Sequence, residues 1–291
     1  MKVLKKMFAL LLILTIISCS SSSENNSVNN LMSLTKKITY STQSLYTDSN
    51  TKQIQYYSNN QIVADTTFNV ANEWMYRRVI TTNGTTKTYQ TFDTSNQIIQ
   101  HREEVYDSQG RITSRRTYVP ENLIIVSFVY NADNTVTANS IYTTDLSTHY
   151  IATFFTNSDG LIYKEGTFTV ANPPVAVEST LLFDNLRPNS LFYSTSSNVL
   201  TFNYYDQPKP SNILKSVTEL NNQILNGLSL TKLAEEGNFY YKRPDTNSNG
   251  TISTYQTDFN ANHYIEHYKS TYEDTAGNNN LLTTETFYYY N

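Results

Sequence analysis

From residue 31 onward the dominant pattern is alternation. In Ile98–Tyr106 one face would carry Ile98, Gln100, Arg102, Glu104 and Tyr106, and the other Ile99, His101, Glu103 and Val105. The same period of two runs through Arg111–Val119, Thr135–Tyr142, Leu161–Val170 and His263–Tyr272. Successive side chains of a strand point to opposite faces, so these segments predict strands with at least one solvated face. Leu123–Tyr130 (LIIVSFVY) is apolar on both faces and is expected at the most covered place in the sheet.

Between strands a degenerate unit recurs: an aromatic, Asp or Asn, small polar residues, Gly or Asn, then an aliphatic. It stands in Tyr106–Ile112, Phe155–Leu161 and Tyr130–Val136, with looser copies in Tyr57–Ile62 and Phe92–Ile98. The Asp or Asn side chain can bond the turn backbone, and Gly or Asn accepts the left-handed conformation that reverses a hairpin. Strands joined in this way predict a mainly β fold, an antiparallel meander forming a curved or partly open barrel-like sheet. One segment departs from the period. Leu214, Val217, Leu220, Ile224 and Leu228 fall at helical spacing and predict a short helix near 212–228, with Ser211 or Asn212 as its cap. Residues 31–291 are read as a single β-rich domain, with a joint expected near 171–176, at Pro173-Pro174.

The amino-terminal residues are of another kind. Lys2, Lys5 and Lys6 precede an apolar run, Met7–Ile17, that is too short to cross a bilayer, which takes about 20 apolar residues. It ends in Ile16-Ile17-Ser18-Cys19, which looks like a lipobox. Residues 1–18 are therefore expected to be a lipoprotein signal peptide, Cys19 the lipidated residue, and 19–30 a flexible polar tether. Cys19 is the single cysteine of the chain, so no disulfide or thiolate site is expected elsewhere. Two or more acyl chains such as palmitate suffice for stable attachment.

Removal of residues 1–18 takes three of the 21 basic residues and none of the 25 acidic ones, leaving a net charge of −7. That argues against nucleic acid, which is held largely through phosphates neutralised by Lys and Arg. The chain's 24 tyrosines suit half-wet pleated surfaces better than a thick apolar core.

Few residues form a pattern that could carry chemistry. Asp245, Asn247 and Asn249, followed by Gly250, fit the start of a calcium loop, but Gln256 stands where the closing Glu belongs, so affinity is expected to be poor. The expected structure there is a hairpin turn between Phe239–Lys242 and Thr251–Gln256. His263-Tyr264-Ile265-Glu266-His267 matches a zinc peptidase pattern that needs a helix. In a strand four steps span roughly 13 Å, beyond one ion's reach, and the neighbouring alternation favours a strand. Glu103-Glu104 and Glu235-Glu236 read as solvated surface, and Trp74 as a packing residue. No other metal site, cofactor or catalytic constellation is expected.

Tyr106–Ile112 resembles the YD repeat of Rhs and teneurin shells. The chain as a whole resembles Bacteroidetes lipoproteins of unknown function whose domains have been described as porin-like. The residues that carry this are the lipobox, Tyr130–Val136, Tyr204–Pro210 and Glu285–Asn291. The resemblance brings no catalytic residues. Anchor and pattern together lead to the expectation of a non-enzymatic envelope lipoprotein, lipid-anchored at the outer membrane on either side. It would be a scaffold or binding module for an envelope protein or glycan. The alternative expectation is a carrier of an apolar ligand, which requires a continuous apolar face.

Overall fold

The computed structural model describes residues 32–44, 50–119, 122–144, 148–169, 175–184, 187–194, 199–226, 230, 233, 237–248, 251–274 and 281–291. The signal peptide, Cys19, the tether, the Pro173-Pro174 joint, Leu228, Glu235-Glu236 and Asn249 lie outside the described residues.

The first strands in chain order are β1 (Leu34–Gln43), β2 (Thr51–Ser58), β3 (Gln61–Phe68), β4 (Trp74–Asn83), β5 (Thr86–Phe92) and β6 (Ile98–Tyr106). Next come β7 (Ile112–Val119), β8 (Asn122–Tyr130), β9 (Thr135–Tyr142), β10 (Thr148–Thr156), β11 (Ile162–Thr169) and β12 (Val175–Asp184). β13 (Arg187–Tyr193), β14 (Val199–Thr201), helix α1 (Val217–Leu225), β15 (Thr246–Ser248), β16 (Thr251–Phe259), β17 (Ile265–Asp274) and β18 (Leu281–Tyr290) complete the chain. The strands form one 18-stranded sheet. Each pairs antiparallel with the next except β14 with β15, and β18 returns to pair with β1.

The sheet is not closed into a barrel. Among the described residues β14 and β15 share no ladder, and the chain between them runs across the interruption. It is pinned there by a bridge between Tyr204 and Tyr241, with Tyr205 N–H on Tyr240 O at 3.0 Å and Lys242 N–H on Asn203 O at 2.7 Å.

Several hairpins share one turn. Asp107 Oδ1 accepts the N–H groups of Gln109 and Arg111, both at 2.9 Å, and Gly110, at φ 73°, bonds back to Asp107 O. Asn157 with Gly160 and Asp93 with Asn96 repeat it, as does Asn260 with His263. In three of the four the left-handed position is held by Gly or Asn, which occupy it with little steric penalty; in the fourth it is held by His263. A register shift beside each turn marks the bulge that such five-residue loops introduce.

Opposed residues define one covered face, called the inner face below. Thr286 lies opposite Thr39, Gln55 opposite Asp65, Asp65 opposite Arg78, Glu104 opposite Arg115, Arg115 opposite Val126, and Val126 opposite Ser140. From β8 to β14 this face is largely apolar, with Val126, Phe128, Val136, Ala138, Ala152, Phe154, Leu181 and Leu191 packed with Leu220, Ile224, Leu225, Leu230 and Leu233 of the crossing segment.

The helix is shorter than its apolar spacing implied. Its cap is Ser216, which forms a capping box with Glu219; Ser211–Ile213 is a single 3-10 turn, and Leu214 is extended and exposed. β8 also departs from expectation. Val126 and Phe128 are buried, but Val129 on the other face is 56% exposed, because among the described residues no second layer covers the outside of the sheet. Phe239–Lys242 does not pair with Thr251–Gln256; residues 246–248 do, and 240–242 close on 203–205 instead.

Candidate functional site

The inner face changes character between β1 and β7. Here Gln55, Asp65 and Glu104 are buried, and apart from Ile80 their neighbours on the same face are mostly Thr, Gln, Tyr, Lys and Arg. Asp65 receives two bonds from Arg78, from Nε at 2.6 Å and Nη2 at 2.5 Å. Glu104 is fully buried: Oε1 meets Arg102 Nη2 at 2.9 Å, while Oε2 accepts the hydroxyls of Tyr89 at 2.9 Å and Tyr106 at 2.5 Å. The Arg102 guanidinium lies 4.3 Å from the centre of the Tyr89 ring. Burial, and then the Glu104 charge, push both phenols far above their ordinary value, so they stay protonated donors.

This corrects the expectation that Glu103-Glu104 is solvated surface. The two do point to opposite faces, as adjacent strand residues must. Only Glu103 lies on the outer face, where Tyr118 Oη donates to it at 3.3 Å and Arg116 Nη1 lies 3.8 Å away. Glu104 is buried because β6 turns its Arg102, Glu104 and Tyr106 row inward, and three local partners replace its lost hydration. One signal was present in the sequence: Arg102, Glu104 and Tyr106 share a strand face, so acid, base and phenol could satisfy one another.

Two polar side chains of α1 hold the inner end of the sheet together. Asn222 Nδ2 donates to Gly110 O at 2.7 Å and its Oδ1 accepts Ile112 N–H at 2.9 Å. Asn221 does the same to Gly160 O at 2.8 Å and Ile162 N–H at 2.9 Å. Farther along, Asn212 Nδ2 donates to Met32 O at 2.8 Å and its Oδ1 accepts the Tyr264 hydroxyl at 2.7 Å.

The other sequence candidates are dispersed. Asp245 Oδ1 accepts Tyr255 N–H at 2.9 Å, and Asn247 lies in the short β15–β16 ladder. His263 sits in a turn at φ 65°, and His267 is on β17, so the expected strand is present. His267 bridges two carboxylates on the outer face, Asp258 Oδ2 at 2.9 Å and Glu285 Oε1 at 3.0 Å, with its ring stacked on Phe287 at 4.9 Å. The His267 bond, helped by Gln256, holds the Asp258 carboxyl below its ordinary value. Trp74 is half-buried opposite Phe68.

Fold and site together define an antiparallel β-meander protein whose inner face is part apolar and filled, part polar. The chain is similar to a porin-like protein from Bacteroides uniformis ATCC 8492, with 10% identity, a TM-score of 0.44, and 89% of this chain and 96% of that one covered. It is also similar to a porin-like protein from Bacteroides vulgatus ATCC 8482, with 11% identity, a TM-score of 0.38, and 90% and 99% covered. Neither match bears on the YD repeat or on lipidation. No family model and no curated relative matches the chain.

Proposed function

We propose that this chain is a non-enzymatic binding module of the cell envelope, anchored by acyl chains on Cys19, which uses the polar half of its inner face to hold a glycan or protein ligand. The observation that carries this reading is the division of that face. The β8–β14 half is filled by the chain's own Leu220, Ile224, Leu225, Leu230 and Leu233. The β1–β6 half carries Arg78 and Arg102, whose side chains are each 34% exposed beside carboxylates 9% and 0% exposed. A carrier of an apolar ligand finds less support, because its continuous apolar face is interrupted by these groups.

The outer face supports attachment through lipid rather than through the sheet. A bilayer-spanning barrel needs an outward apolar band about 25 Å tall. Here Lys52, Glu103, Arg116, Lys164, Asp258, His267 and Glu285 share the outside with Tyr56, Ile99 and Val129.

The test is affinity capture from native envelopes with the full-length protein as bait, alongside fractionation of Cys19→Ala. The expected results are recovery of a specific glycan or protein, and release of the variant from membranes. Recovery of the bait alone sinks the binding reading, and a variant that still sediments with membranes sinks the anchor.

A further inference from the structure

Around Glu104 the inner face gathers more positive charge than its one carboxylate can balance. Lys87 lies directly opposite Glu104 on β5, Arg115 directly opposite on β7, and Arg102 two residues before it on β6. Directly opposed residues of an antiparallel pair have Cβ atoms about 5 Å apart, so the three cations surround one acid. Only Arg102 is paired with it. Lys87 Nζ donates to the neutral Gln61 Oε1 at 3.3 Å. Arg115 is half-buried and makes no hydrogen bond, ion pair or ring contact among the described residues.

A half-buried guanidinium beside other cations has lost hydration without gaining a counter-charge. Glu104 makes no ion pair with it: the carboxylate is fully buried, its Oε2 accepts from Tyr89 and Tyr106, and its Oε1 is ion-paired with Arg102. The surface of this patch therefore presents guanidinium and ammonium, with the carboxylate beneath them. It does so in a chain whose net charge without residues 1–18 is −7, so the positive patch is local. Thr117 stands opposite Arg102 on the same face, and Thr91 and Gln100 form the next pair along it.

The geometry points to this patch as a binding site for an acidic glycan, whose carboxylates or sulfates take Lys87, Arg102 and Arg115 while its hydroxyls meet Thr91, Gln100 and Thr117. This rests on the binding reading above and names its ligand class. Arg115 takes an oxyanion through its planar fork, which matches such groups bidentately. Arg102 is held for the same task by Glu104 below and by the Tyr89 ring.

The test is calorimetric titration of the purified protein with polygalacturonate, which bears carboxylates, and chondroitin sulfate, which also bears sulfates, with dextran and single-stranded DNA as controls. Binding to one or both acidic glycans, weakening with salt, is expected; preference for one identifies the oxyanion. Arg115→Gln should melt like the parent and bind about tenfold or more weakly, as expected for a lost charged hydrogen bond. Arg116→Gln, the next residue but on the outer face, should bind like the parent. Equal binding of DNA or dextran, unchanged affinity in Arg115→Gln, or no binding of either acidic glycan overturns the proposal. The last outcome leaves the broader reading standing if envelope capture still yields a neutral glycan or a protein, whereas failure of both experiments removes both.

Discussion

Asn222 reads the backbone of the turn before Ile112 from both sides of a residue, accepting Ile112 N–H at 2.9 Å and donating to Gly110 O at 2.7 Å. Ile112 is fully buried, so water is a poor substitute for the bond to its N–H. Asn222→Ala is expected to destabilise the protein by about 1–3 kcal/mol, the cost of leaving a buried backbone group without a partner. Asn221→Ala should act alike through Ile162 and Gly160. Urea unfolding followed by tyrosine fluorescence measures both; midpoints equal to the parent would refute this role for the helix.

The left-handed turn positions make a second prediction. A Cβ added at Gly110 meets nothing within 4 Å, so crowding is no obstacle and only φ of 73° matters. Gly110→Ala should cost about 1–2 kcal/mol, the left-handed penalty for an L-residue. Gly110→Asn should cost less, because Asn96 and Asn134 already hold the same place at φ 59° and 62°. Thermal melting of the two variants orders them, and Ala melting above Asn would contradict the argument.

Removing the Glu104 carboxylate breaks a buried ion pair and leaves two phenols without an acceptor. Glu104→Ala is expected to cost about 3–5 kcal/mol. Glu104→Gln should cost less, since its carbonyl still accepts from a tyrosine hydroxyl. Chemical denaturation compares them; a near-neutral Glu104→Ala would place the carboxylate in water.

Tyr130, pushed up to about 12 by burial, sets a high-pH limit. Below pH 10 the folded and unfolded states both keep its proton and stability is complete. Above 10 the unfolded state alone ionises, so stability falls as pH rises toward 12. Tyr89 and Tyr106 are raised still further and act in the same direction. Absorbance titration should show exposed phenols ionising near 10 and a late class that appears with loss of the fold; a single transition near 10 would be the contrary result.

Asp258 sets the acid side. Its carboxyl lies below the ordinary value, chiefly through the His267 bond, so this contribution is complete above the ordinary value and lost as pH falls through the lowered one. His267→Ala should return Asp258 toward ordinary titration, as followed by carboxyl-carbon NMR. An unmoved Asp258 would assign the shift to Gln256.

Much of the sheet is legible in the chain itself. The alternation in Ile98–Tyr106 and the unit Tyr106–Ile112 became β6 and its turn. The helix was less legible. The spacing began at Leu214, an extended residue directly after a 3-10 turn, while the start signal lay in Ser216-Val217-Thr218-Glu219. The polar site was harder still. Arg102, Glu104 and Tyr106 could be placed on one face, but Lys87 and Arg115 reach Glu104 only through the register of β5 and β7.

By itself, then, the sequence determines the strands, their reversals, the acidic balance and the expectation of a lipid on Cys19, because each depends on neighbours close along the chain. A period of two establishes that a strand has two faces and is silent on which one is covered. That choice belongs to tertiary structure. The segment between β14 and β15 lies on one side of the sheet, burying Val126, Phe128 and Phe154 beneath Leu220 and Ile224 and turning Glu104 inward with its cations.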